Sequence, residues 1–311
     1  MDSSSFAKGA DVSWVTQMEN AGYKFYNNDG TQEECMHLLK DKGINSIRLR
    51  AWVNPSNGWC NTKDVVQKAL RAEALGLRIM IDFHYSDSWA DPGQQSKPLA
   101  WQSLSTDSLI KVVYNYTYHV MDTLKSNGVN VEWAQTGNET NDGMLWEDGR
   151  ASVYMNNFAA LINSGYDAIK KVNASTKVIV HISNGFDNSL FRWIFDGLQA
   201  NGAKWDVIGM SLYPDVNNWS ALNASCLANM NDMINRYNKE IMICEVGMNV
   251  QDSVACNSFL TDIINKTRSL KNNKGLGVFY WEPECYNWQN YNKGAFNTEG
   301  KPTVALDAFS N

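Results

Sequence analysis

The stretch VEWAQTGNET, residues 131–140, runs from apolar and small residues into a carboxylate just past Gly137 and Asn138. Its length and its glycine punctuation read as a short buried strand that stops at Gly137. A charged group at the end of such a strand must find partners or stay wet. Glu139 therefore stands at the mouth of whatever this strand belongs to.

Working outward, similar runs recur at 6–12, 44–53, 77–84, 177–183, 205–213, 240–246 and 276–281. Between them lie amphipathic stretches. Leu109, Val112, Val113, Tyr116, Val120 and Leu124 fall on one face at helical spacing, as do Met155, Phe158, Leu161, Ile162, Tyr166 and Ile169. Strands that alternate with helices to a count of eight, over 311 residues, predict a closed (β/α)8 TIM barrel, an α/β architecture of about 250 residues. The competing open, doubly wound sheet usually carries a glycine-rich phosphate turn when it binds a nucleotide, and neither GxGxxG nor GxxxxGK occurs here. No proline-rich or low-complexity linker divides the chain, so one catalytic domain over 1–311 is expected.

In such a barrel the loops at the C-terminal ends of the strands converge on a common opening. The residues ending the predicted strands are Asp11, Arg50 with Trp52, His84, Asn138 with Glu139, His181, Tyr213, Glu245 and Trp281. Glu139 closes the fourth strand and Glu245 the seventh, in ICEVG. Two acids across one mouth are the minimum equipment for hydrolysing a glycosidic bond, one protonating the leaving oxygen and the other meeting the cationic carbon. A gap of about 5 Å implies retention of configuration, and a wider one of about 6.5–9.5 Å leaves room for water and implies inversion. A lone Glu at a strand end is more often a capping or surface charge; the pairing is what shifts the reading. Trp52, Trp89, Trp146, Trp281 and Trp288, with Tyr213, fall in or beside the same loops, and flat rings stack on sugar C–H faces.

Composition narrows the classes. The net charge is −6 with no basic run of five, so nucleic acid and anionic membrane surfaces have no electrostatic attraction to this chain, and a polyanionic substrate is disfavoured while a neutral one is not. No run of eighteen apolar residues exists, and MDSSSFAKG lacks the regions of a signal peptide. Either the protein is cytosolic or a leader has been removed; Met1 to Ser5 look like a junction placed before a mature domain, so a secreted, cell-surface or periplasmic location is the expectation, and a monomeric state is expected besides. The six cysteines are too scattered for a metal cage, and they leave free thiols and one or two disulfides both open. One Asn-X-Ser/Thr sequon is Asn138-Glu139-Thr140 itself, where a glycan would cover the acid; this favours a bacterial source. With four histidines and no HxH or HExxH, no metal is expected.

The ordered set KGADVS (8–13), GINSIRLRAWVNPSNG (43–58), DFHYSDSWADPG (82–93), TGNE (136–139), IVHISNG (179–185), IGMSLYP (208–214), ICE (243–245) and GLGVFYWEP (275–283) resembles the endo-β-1,4-galactanases of glycoside hydrolase family 53, in the clan of retaining (β/α)8 glycosidases. The likeness spans nearly the whole chain. It implies an endo-hydrolase of β-1,4-galactan, the neutral side chain of pectic type I arabinogalactan, releasing galacto-oligosaccharides without a cofactor. It also implies Glu139 as general acid/base and Glu245 as nucleophile, with Arg48, His84, Trp89, Asp91, Asn138, His181, Tyr213 and Trp281 around the sugar. Arg48 and Arg50 share one strand face, so either can pair with the nucleophile, and the resemblance favours Arg48. Asn138 is implied at the sugar 2-hydroxyl, Tyr213 as the hydroxyl orienting Glu245, and Trp281 as the floor of the reactive subsite.

Three loops depart from the family pattern: TNDGMLWEDG (140–149), VGMNVQD (246–252) and ECYNWQNYNKG (284–294). These shape distant subsites, so product length is open. Some relatives hold a structural calcium in the last of these loops; here Glu284 stands nearly alone there, and no such ion is expected. A β-mannanase or endoglucanase of the same clan would share both glutamates, and a non-catalytic carbohydrate-binding protein would not need them.

Overall fold

The computed structural model describes residues 6–310, so the reading of Met1 to Ser5 as a junction lies outside the described residues. Eight parallel strands close on themselves. They are β1 (Ala7–Asp11), β2 (Ser46–Ala51), β3 (Arg78–Phe83), β4 (Val131–Thr136), β5 (Lys177–Ile182), β6 (Val207–Leu212), β7 (Glu240–Val246) and β8 (Gly275–Trp281). β1 pairs with β8 on one side and β2 on the other, which leaves no sheet edge. Each lies within a segment read as a strand, apart from β8, which starts one residue early at Gly275. A short antiparallel ladder, Phe25–Tyr26 with Gln32–Glu33, gave no periodic signal because each strand has two residues.

The helices form where the apolar stripes fall. Thr106–Ser126 starts at Ser105, whose hydroxyl accepts from the Ser108 amide, and it buries Leu109, Val113, Val120 and Leu124. The barrel interior is a separate apolar plug of Ala7, Met80, Trp133, Ile179, Val207, Met242, Cys244 and Phe279. Gly9 makes room for it: a Cβ there would sit 2.1 Å from the Phe279 ring. Above this plug the same inward parity continues with polar groups, namely Arg48 on β2, Asp82 on β3, Gln135 on β4, His181 on β5 and Ser211 on β6, all buried. That layer forms the floor of the C-terminal mouth.

At the opposite end, a cavity of about 410 Å³ is lined by charges that already have partners, Arg78 with Glu132 and Lys177 with Glu240. That end serves stability. All six cysteines are buried free thiols, which decides between the two possibilities left open above. Among the described residues no helix is long and apolar enough to cross a membrane.

Candidate active site

Glu245 reaches the mouth through a break in strand register. On one side Met210 pairs with Ile243 but Ser211 with Glu245; on the other, Val278 pairs with Ile243 but Tyr280 with Val246. β7 therefore carries one extra residue. Cys244 points into the apolar plug while its neighbour Glu245 turns to the polar layer, which strict alternation would forbid. Glu139 is delivered by a different device. Gly137 has φ 91°, and Glu139 itself sits at φ 45°, a left-handed conformation rarely adopted by a residue with a side chain. A Cβ at Gly137 would lie 2.6 Å from Thr140 Cγ2, so this turn requires glycine twice over.

One oxygen of Glu139, one of Glu245 and a ring nitrogen of His181 lie within 4.8 Å of one another. Each acid has its own setting. Glu245 accepts from Arg48 Nη2 at 2.9 Å on Oε1 and from the Tyr213 hydroxyl at 2.7 Å on Oε2. Glu139 accepts from Ser211 Oγ at 2.6 Å on Oε1, and among the described residues its Oε2 has no hydrogen-bond partner.

Arg48 organises the floor. Its Nη1 donates to Asp11 at 2.7 Å, its Nε to Gln135 Oε1 at 2.7 Å, and its Nη2 faces Asp82 and Asn138 as well as Glu245, each at 2.9 Å. Three carboxylates around one buried guanidinium leave the floor negative, a setting that favours positive charge developing above it.

That environment separates the two acids. Burial pushes the Glu139 carboxyl up, and the charge of Glu245 pushes further, to about 8. Burial raises Glu245 as well, but Arg48 first and the Tyr213 hydroxyl second work against it. The single proton of the pair belongs on Glu139. Asp82 lies below the ordinary carboxylate range, because Arg48 and His84 outweigh the effect of burial. His181 is held well below the imidazole range by burial and then by Arg48, so it is neutral.

The remaining sequence-nominated residues fall as follows. Asn138 is almost fully committed, its Oδ1 to Arg48 and its Nδ2 to Ala90 O at 2.8 Å. His84 has Nε2 on Asp82 at 3.0 Å and Nδ1 on Trp52 Nε1 at 3.1 Å, so it braces the floor. Asp91 caps its own turn through the Gly93 amide and the Gln94 side chain, both at 2.8 Å. Trp281 and Trp89 are partly exposed and meet at 5.9 Å between ring centroids. Arg50 is not at Glu245: it pairs with Glu282 and lies against the rings of Trp14, Trp52 and Trp89.

Two aromatic expectations need correction. Trp288 is buried against Trp14 and Tyr23, and Trp52 is buried with its indole N–H on His84, so each ring is largely covered by protein rather than presented as an open face. Trp146 lies over the Arg150 guanidinium.

Asp82, Gln135 and Ser211 were missed by reading only strand ends. Each lies two residues before a strand-end position already singled out, or two before the glycine, and inward parity is the signal that finds them. As to metals, both oxygens of Glu245 and both nitrogens of His181 already have protein partners, a pattern that fits hydrogen bonding rather than an ion. Glu282, Glu284 and Cys285 form a second buried group; burial, followed by the neighbouring Glu282, holds the Glu284 proton on.

A closed (β/α)8 barrel with a carboxyl pair across its C-terminal mouth and aromatic rings beside it defines a glycoside hydrolase. The family model for Glycosyl hydrolase family 53 matches residues 7–309, and the chain belongs to that family. It is 32% identical over 330 residues to the arabinogalactan endo-beta-1,4-galactanase of Humicola insolens, covering 97% of this chain and 98% of that one. To a probable arabinogalactan endo-beta-1,4-galactanase A of Neosartorya fischeri it is 33% identical over 298 residues, covering 89% and 83%. A solved structure from a study of two fungal beta-1,4-galactanases superposes with a TM-score of 0.91 at 30% identity, covering 99% of this chain and 100% of that one.

Proposed function

We propose that this enzyme is an endo-hydrolase of β-1,4-galactan that retains configuration by double displacement, with Glu245 as nucleophile and Glu139 as acid/base. The observation that carries it is that one carboxyl oxygen of each acid lies within 4.8 Å of the other, which suits direct attack better than the wider gap of about 6.5–9.5 Å that accommodates a water. Glu245, paired with Arg48 and Tyr213, attacks the anomeric carbon while Glu139 gives its proton to the departing oxygen. In the glycosyl ester Glu245 is neutral, so the repulsion that raised Glu139 is gone. Glu139 then ionises and draws a proton from the attacking water.

The substrate assignment rests on the family and on the galactanase relatives. It fits the net charge, which disfavours a polyanionic substrate but not a neutral one, and the pectic polymer it names lies outside cells, in keeping with the extracellular or periplasmic location expected above. All the groups in this scheme come from one chain, so a monomer suffices. Hydrolysis of galactan, mannan and cellulose measured side by side tests the assignment; turnover of mannan or cellulose with none of galactan overturns it.

A further inference from the structure

The Glu139 side chain is held from one side only, and what holds it is a chain of hydrogen bonds whose direction is set deep in the barrel. Arg48 can only donate, so Gln135 Oε1, at 2.7 Å from its Nε, must be the amide oxygen. Ionised Asp82 can only accept, and it takes one hydrogen of Gln135 Nε2 at 2.9 Å. The other hydrogen has His181 Nδ1 at 2.9 Å and the Gly137 carbonyl oxygen at 3.4 Å, and the nearer partner takes it. Nδ1 lies 3.1 Å from Asn138 Oδ1 too, but a hydrogen on Nδ1 would run into the Gln135 amide hydrogen, and that shorter contact, from an amide fixed at its other end, decides. Nδ1 is thus an acceptor and neutral His181 carries its hydrogen on Nε2. That hydrogen faces Ser211 Oγ at 2.7 Å, which leaves the Ser211 hydroxyl hydrogen for Glu139 Oε1 at 2.6 Å.

We infer that Ser211 is a positioning residue, oriented by the Nε2–H tautomer of His181, whose hydroxyl keeps Glu139 Oε1 an acceptor and so confines the acid's proton to Oε2, the oxygen with no protein partner. The inference deepens the proposed function and rests on Glu139 being the acid. A proton on Oε1 would be spent on Ser211 and would face away from the leaving group. A hydroxyl donor also favours the ionised form, so Ser211 tempers the upward push on Glu139 and prepares it for its turn as base. The other groups acting on Glu139 are Glu245 from β7, Arg48 from β2 and Asp91 from the loop after β3, with His181 from β5 and Tyr213 after β6; a change at Ser211 leaves all of them in place.

The test compares wild type, Ser211→Ala and Ser211→Thr on galactan and on a dinitrophenyl β-galactoside, whose leaving group needs no proton. Ser211→Ala is expected to lose roughly 10-fold or more in kcat/KM on galactan while staying within about twofold on the dinitrophenyl substrate. Its basic limb should move to higher pH, and Ser211→Thr, which keeps the hydroxyl, should return the limb to its wild-type position. Equal loss on both substrates with an unmoved limb overturns the inference and marks Ser211 as merely structural. Nitrogen-15 NMR of wild-type His181 provides a check that depends on no variant: protonation on Nε2 supports the chain, and protonation on Nδ1 overturns it. If wild type leaves galactan intact, or Glu139→Ala keeps full activity, it is the functional reading that falls, not the role of Ser211 alone.

Discussion

Arg48 Nη2 lies 2.9 Å from Glu245 Oε1, and the same guanidinium also pairs with Asp11 and Asp82. A buried cation shared among three carboxylates is a single unit: the three negative charges are tolerable side by side because Arg48 pairs with all of them.

Replacing Arg48 by Met should therefore cost about 3–5 kcal/mol of stability, the usual result of leaving buried charge unpaired. Glu245 would lose its principal counter-charge, so the acidic limb of kcat/KM should move to higher pH. Arg48→Lys keeps the charge but cannot serve several acceptors with a planar fork, and it should fall between the two. Urea denaturation and pH-rate profiles check both; a Met variant with an unchanged urea midpoint contradicts the shared-cation account.

The protonation of Glu139 sets the other limb. Its pKa in the folded enzyme is near 8, so activity should decline as pH rises through that value. The same shift has a stability consequence of definite sign. A carboxyl raised by folding binds more protons folded than unfolded between its ordinary value and about 8, so its contribution to stability is complete below the ordinary value and is lost as pH rises toward 8. Glu139→Gln has no proton to lose. Between pH 5 and pH 8 its Tm should fall less than that of wild type, and parallel curves would show that Glu139 is not raised.

Most of the barrel was legible because buried parallel strands write themselves as short apolar runs and the outer helices as stripes. The glutamates were legible as strand-end positions. What the residues did not reveal was how Glu245 escapes strand alternation, since the extra residue at Cys244 is a matter of pairing register and leaves no mark in composition. Nor could Trp52 and Trp288 be told from Trp89 and Trp281, because an indole under a loop and one lining a cleft are spelled alike. The split between Arg48 and Arg50 likewise depended on which carboxylate each side chain could reach across the barrel.

Removal of the acid should depend on the leaving group. Glu139→Ala is expected to lose about 10²–10⁴-fold in kcat/KM on galactan and far less on a dinitrophenyl galactoside, with the glycosyl-enzyme accumulating as a burst. Equal losses on the two substrates would remove Glu139 from the acid role.

Interior packing predicts a separate effect, on stability first. A Cβ at Gly209 would stand 2.7 Å from Ile179 Cγ2 and 2.8 Å from Cys244 Sγ, so Gly209→Ala should destabilise by roughly 1–3 kcal/mol. Because Cys244 adjoins Glu245, kcat should fall along with the urea midpoint. A variant as stable as wild type would mean that the plug has slack.

Loss of the nucleophile should be the most complete. Glu245→Ala should drop galactan hydrolysis to background, and azide entering the vacated space should yield a glycosyl azide of inverted configuration from an activated substrate. Recovery of galactan hydrolysis itself under azide would contradict the assignment.

Whether two glutamates close enough for covalent attack perform a double displacement on galactan is read from proton NMR of the first product formed from β-1,4-galactan. With double displacement the new reducing end appears as the β-anomer and only later mutarotates. Initial appearance of the α-anomer would mean a single displacement by water and would contradict it.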